Sequence, residues 1–145
     1  MVLDKLLGNS VFLSVAAAMI VVQVLKGVLR TFKEKKLDFS FFLISGGMPS
    51  GHSALVCSIT AAIYLSEGLS SVFMISVVLA LVIMYDAMIL RMTVGRNSEM
   101  IRKMAAKLKI NNKDHKLTQS HGHTPLQVVA GGIIGIIIAI LMNSL

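Results

Sequence analysis

Two histidines, each beside glycines and a helix-starting residue, are the side chains best suited to chemistry in this chain. His52 sits in Gly46-Gly47-Met48-Pro49-Ser50-Gly51-His52-Ser53, and His123 in Gly122-His123-Thr124-Pro125-Leu126-Gln127. Between them lies Tyr85-Asp86-Ala87, followed by Arg91. Ser50 is a natural N-cap, and glycine lets the backbone approach a bound anion where helix N–H groups and the helix dipole attract one. Thr124, Pro125 and Gln127 have the spacing of a capping box with proline in the first helical position, which leaves His123 just outside the helix. Arg91 can grip a phosphate bidentately. Two imidazoles and fixed positive charge around one anion suit phosphoryl transfer. One ring attacks phosphorus, the other protonates the leaving oxygen, and the cations stabilise the transition state. Each motif also has a plain local explanation: a helix-breaking turn, an arginine anchoring a membrane end, a helix cap. The case therefore rests on whether the chain brings them together.

The elements that must do so are apolar. Of 145 residues 55% are hydrophobic and 14% charged, against about a quarter charged in soluble domains. Apolar runs predict spans at residues 10–29, 51–65, 69–90 and 125–142 of a single domain covering 1–145. At about 20 residues per crossing, the first, third and fourth suffice alone, and the second is short. The first run has no small-residue cleavage site and is too long for a signal core.

Charge orients these spans. Of 14 Lys and Arg, five fall from Lys26 to Lys36 and eight from Arg91 to Lys116; Lys5 is the remaining one. The positive-inside bias places both basic stretches in the cytoplasm and the termini outside, so four crossings are self-consistent. The basic residues, independently of the histidines, put His52, Arg91 and His123 on one face. Asp86, about one turn inside the apolar region, needs a cation, with Lys26 or Arg91 the candidates. Residues 99–109 repeat apolar positions at helical spacing with basic residues opposite, the pattern of an amphipathic helix on the cytoplasmic leaflet. Residues 111–114 read as an exposed turn, and His115 and His121 as solvated loop residues.

Several classes are disfavoured. A net charge of +7 suits nucleic acid, but anionic inner-leaflet lipid is the simpler counterpart, at about 1 kcal/mol per nearby basic residue. Cys57 is alone, so it forms no internal disulfide, and no transition-metal ligand cluster stands out. The ten methionines suit helix packing. An ion channel is disfavoured by the lack of charge in mid-span.

The motifs resemble those of the type-2 phosphatidic acid phosphatase superfamily, which includes bacterial acid phosphatases and vanadium-dependent haloperoxidases. Pro49-Ser50-Gly51-His52 is similar to its second motif, and His123-x-Pro125-x-x-Val128-x-Ala130-Gly131-x-x-x-Gly135 to its third. The chain is most similar to the short divergent branch of bacterial and plant membrane proteins. That branch combines GGMPS-x-HSA, YDA-x-x-x-R and GHTPLEV-x-AG, and the similarity runs from about Gln23 to Gly135. The resemblance implies His123 as nucleophile and His52 as general acid. Arg91 would bind phosphate with Ser50, Gly51 and Lys26. Apart from the resemblance, Asp86, as a stand-in for a missing carboxylate, and Gln23 are candidate supporting residues. The resemblance implies no metal or other cofactor, with vanadate binding as a phosphate mimic. Three departures stand out. Met48 replaces the expected Arg-Pro lead-in, Arg91 precedes His123 by 32 positions, and Gln127 stands where an acid should orient the nucleophile, with Gln119 where the branch often has Glu. A Gln127 carbonyl could accept the imidazole N–H instead.

The expectation is thus an all-α membrane bundle of about four transmembrane helices plus a cytoplasmic amphipathic helix, in the inner membrane. Its expected activity is hydrolysis of a lipid phosphomonoester or pyrophosphate drawn from the inner leaflet. The alternative is a weak or inactive lipid-phosphate-binding scaffold. The small-residue face of the fourth helix suggests a homo-oligomer.

Overall fold

The computed structural model describes residues 2–34, 47–108 and 122–144. Gly46, Lys35, Lys36, the 111–114 turn, His115, Gln119 and His121 fall outside them. The described residues form helices α1 (Val2–Leu7), α2 (Ser10–Glu34), α3 (Gly51–Glu67), α4 (Ser71–Tyr85), α5 (Arg91–Lys107) and α6 (Pro125–Asn143). A π-helical turn, Asp86–Leu90, joins α4 to α5 without a break. Three stretches are long and apolar enough to cross a membrane: Ser10–Phe32, Ser71–Lys107 and Pro125–Asn143.

The shortest apolar run, α3 at 17 residues, is the helix around which the others pack. It buries Ser53, Ala54, Val56, Ser58 and Ala62, and small side chains of this kind let backbones close in. The tightest seam is with α6. A Cβ on Gly131 would strike the Ser50 carbonyl oxygen, and one on Gly135 would strike that of Ala54. Four residues up α6 match four residues up α3, so the two helices run parallel in register. Both α2 and α4 run the other way. At one end Lys26 reaches Gly51, while at the other Asn143 Nδ2 donates to Ser14 Oγ at 3.2 Å. Between α3 and α4, Thr60 Oγ1 donates to the Ser76 carbonyl at 3.3 Å.

The interior is small and partly polar, with Ser14, Ser50, Ser53, Ser58 and Ser76 buried. Large apolar side chains point outward, among them Val72, Ile75, Val78 and Val82 of α4 and Ile133, Ile136, Ile137 and Ile140 of α6. Apolar packing gains nothing over contact with lipid tails, so close backbone approach and hydrogen bonding hold such a bundle together. The chain folds as an all-α membrane helical bundle.

Lys109 lies outside the described residues, and residues 99–107 of the amphipathic stretch expected over 99–109 are the far half of a longer helix. It begins at Arg91 and continues α4, with Val94, Met100, Ile101, Met104 and Leu108 exposed.

Candidate functional site

The alternating helix directions gather four ends at one face: the starts of α3 and α6, the Lys26 end of α2 and the π turn after α4. Each sequence motif lies at one of these ends.

Ser50 is the N-cap of α3. Its oxygen accepts from Ser53 N–H at 3.4 Å and from the Ser53 hydroxyl at 3.0 Å. With both lone pairs engaged, its own O–H is the group left to offer an anion. The Ser50 N–H donates to the Gln127 carbonyl at 3.0 Å, tying the two helix starts together. The first-turn N–H groups of Gly51 and His52 lack partners within a helix. Lys26 Nζ lies 3.4 Å from where a Gly51 Cβ would stand. A cation beside a helix N-terminus opposes the dipole, and an anion held between them relieves that repulsion.

His123 enters from α6. The capping box is complete: Thr124 Oγ1 accepts from Gln127 N–H at 3.4 Å, and Gln127 Oε1 accepts from Thr124 N–H at 3.0 Å. The start of α6 is therefore capped by its own residues, and α3 supplies the open N–H groups. The Gln127 carbonyl does not meet the His123 ring as expected, because the helix cap holds it. The His123 backbone N–H donates to the Ala87 carbonyl at 2.9 Å. Gly122 is pressed so closely on the Met92 backbone that a Cβ there has no room. This docking on the π turn carries the histidine inward.

The His52 and His123 rings lie 6.2 Å apart, edge to face. His123 is 1% exposed, yet neither ring nitrogen has a hydrogen-bond partner among the described residues. Buried polar atoms are nearly always paired, so both ring nitrogens are open to a partner that the described residues do not supply. Burial, followed by the positive charges of Lys26, His52 and Arg91, pushes its pKa down to about 4. The neutral imidazole thus persists at physiological pH with a lone pair available. Lys26, Arg91 and Asp86 also lie within electrostatic reach of His52.

Arg91 Nε pairs with Asp86 Oδ2 at 2.7 Å, so Asp86 finds one of its two candidate cations and is not turned to His123. Gln23, one turn before Lys26, carries a buried Oε1 with no partner among the described residues. Those residues hold no group of three metal-ligating side chains. The residues missed by motif reading are Ala87, acting through its carbonyl, and Gly122. The spacing of five between Asp86 and Arg91, one residue longer than an α-helical pair, was the available signal for the π turn.

The family described as divergent PAP2 matches residues 7–138. The uncharacterized membrane protein YuiD of Bacillus subtilis (strain 168) is 34% identical over 152 residues, covering 95% of this chain and 96% of that protein. No solved structure matches. The chain belongs to the divergent PAP2 family.

Proposed function

We propose that this member of the divergent PAP2 family is a membrane phosphatase that hydrolyses a lipid phosphomonoester or pyrophosphate through a phosphohistidine. The carrying observation is the buried His123 ring, unpartnered among the described residues and 6.2 Å from His52, in a setting of Lys26, Arg91 and the α3 N-terminus. The two rings are close enough to reach one phosphoryl group from different sides, His123 at phosphorus and His52 at the leaving oxygen. A neutral His123 nitrogen attacks phosphorus and forms the N–P bond. The P–O bond to the lipid breaks, and the leaving oxygen takes its proton from His52, which the negative charge of the bound phosphate keeps protonated. Water, deprotonated by the now neutral His52, then attacks phosphorus, releases inorganic phosphate and restores both rings. Arg91, Lys26 and the Gly51 and His52 N–H groups hold the phosphoryl oxygens throughout.

The site lies at helix ends beside exposed apolar faces, which fits a substrate entering sideways from the leaflet. In this reading the site faces the cytoplasm and both termini lie outside. A cysteine introduced by Lys35→Cys stays shielded from an impermeant thiol reagent in intact cells, and labelling there contradicts the orientation. The activity is tested by offering lipid phosphates to purified protein in detergent. Phosphate release that vanadate inhibits and His123→Ala abolishes is the expected result.

A second reading is favoured by Gln127. With its side-chain carbonyl held by Thr124 N–H, neither this amide nor any carboxylate among the described residues orients the nucleophile. A protein that binds vanadate but releases phosphate from no lipid would be a lipid-phosphate-binding scaffold.

A further inference from the structure

The π turn pairs backbone groups five residues apart, and Asp86 and Arg91 have that spacing. Their backbones close the turn, with Arg91 N–H donating to the Asp86 carbonyl, and their side chains meet on the same side of it. An α-helical path would place residues three and four apart on a common face instead. The contact uses Arg91 Nε, at 2.7 Å from Asp86 Oδ2. A guanidinium carries five N–H groups in a fixed fork, so a partner at Nε leaves the terminal nitrogens free for a bidentate grip on phosphate. The next residue of the turn, Ala87, holds the His123 backbone N–H. One irregular turn therefore sets both the cation and the imidazole, although 32 positions separate them. Irregular helical turns of this kind recur at functional sites.

We infer, resting on the reading that this site takes a phosphate, that Asp86 is a positioning residue. It fixes Arg91 through Nε so that the terminal nitrogens face the phosphoryl group beside His123. The rival role, a simple counter-charge, makes the opposite prediction. A carboxylate that only offsets positive charge weakens anion binding, and removing it tightens the site. A carboxylate that aims the arginine strengthens binding despite its own charge.

The experiment is vanadate titration of the purified full-length protein in detergent, with Asp86→Asn, Asp86→Glu, Arg91→Lys and the Asp86→Asn/Arg91→Lys double variant. Asp86→Asn is expected to weaken binding by about tenfold, equivalent to about 1.4 kcal/mol. Asp86→Glu, which keeps the charge and shifts the carboxylate, falls between it and the wild type. With Arg91→Lys already in place, Asp86→Asn has little further effect, because it acts through that arginine. In the hydrolysis assay KM rises with the same order and kcat changes less. Binding by Asp86→Asn as tight as wild type or tighter overturns the inference, as does an undiminished effect on the Arg91→Lys background. If Asp86→Asn does not fold, Asp86→Glu decides: wild-type binding overturns the inference and weakened binding upholds it. A wild type that binds vanadate but hydrolyses no lipid phosphate defeats only the phosphatase reading. A wild type that binds no vanadate defeats both.

Discussion

The α3–α6 seam and the long α4–α5 helix bring different things to one site by opposite means. In the seam, glycines let two parallel helices meet backbone to backbone, so the two helix starts are locked at Ser50 and Gln127. That lock leaves little freedom to the histidines at the two starts. The α4–α5 helix has most of its large side chains exposed and delivers Arg91 through an irregular turn with a dedicated ion pair. The seam thus specifies positions by steric exclusion, whereas the long helix does so by polar contacts. The polar route tolerates substitution in packing and is sensitive to substitution in charge.

The strongest test of the seam's chemical role is His52→Ala. Loss of a general acid lowers turnover of a lipid phosphate roughly 10²–10⁴-fold. The loss shrinks with p-nitrophenyl phosphate, whose leaving group needs no proton. An equal loss with both substrates would remove His52 from that role. Next comes Gly131→Val, whose side chain meets the Ser50 carbonyl; unfolding in detergent should show about 3 kcal/mol of destabilisation. Val94→Ala on exposed α5 should stay within about 0.5 kcal/mol, and similar losses at both positions would erase the contrast.

A smaller effect is the titration of His123. Its folded pKa of about 4 lies below the usual value of 6.5, so the unfolded chain takes up this proton first as pH falls. Its contribution to stability is intact above pH 6.5 and declines as pH drops towards about 4. Imidazole NMR should show no His123 protonation at pH 6, and Lys26→Met should move its titration upward; an unshifted value near 6.5 contradicts the buried setting. The smallest effect is Gln127→Glu. Glutamate also completes a capping box, so stability should rise by about 0.5 kcal/mol. A large gain in turnover would instead mean that the new carboxylate leaves the cap for His123.

Much of this was legible in the sequence because the relevant forces are local or long-wavelength. Hydropathy and basic-loop asymmetry marked the spans and put His52, Arg91 and His123 at one face. Thr124, Pro125 and Gln127 marked the start of α6, because a capping box needs only four neighbouring residues. The central place of α3 was hidden, since its apolar run is the shortest and centrality depends on small residues in two distant helices. Gln127's engagement was misjudged because cap and imidazole compete for one oxygen, and only the fold decides between them. The Asp86–Arg91 pairing is one of the two options that a carboxylate at membrane depth leaves open, but the π turn that enforces it leaves only a spacing of five as its trace.

The central claim is that His123 carries the phosphoryl group in a site shared with His52 and Arg91. Rapid quenching into alkali after mixing with a ³²P-labelled lipid phosphate tests it most directly. The account predicts an acid-labile, alkali-stable label on His123 that forms before phosphate is released and is absent from His123→Ala. Turnover without such a label, or a label retained in His123→Ala, would contradict it.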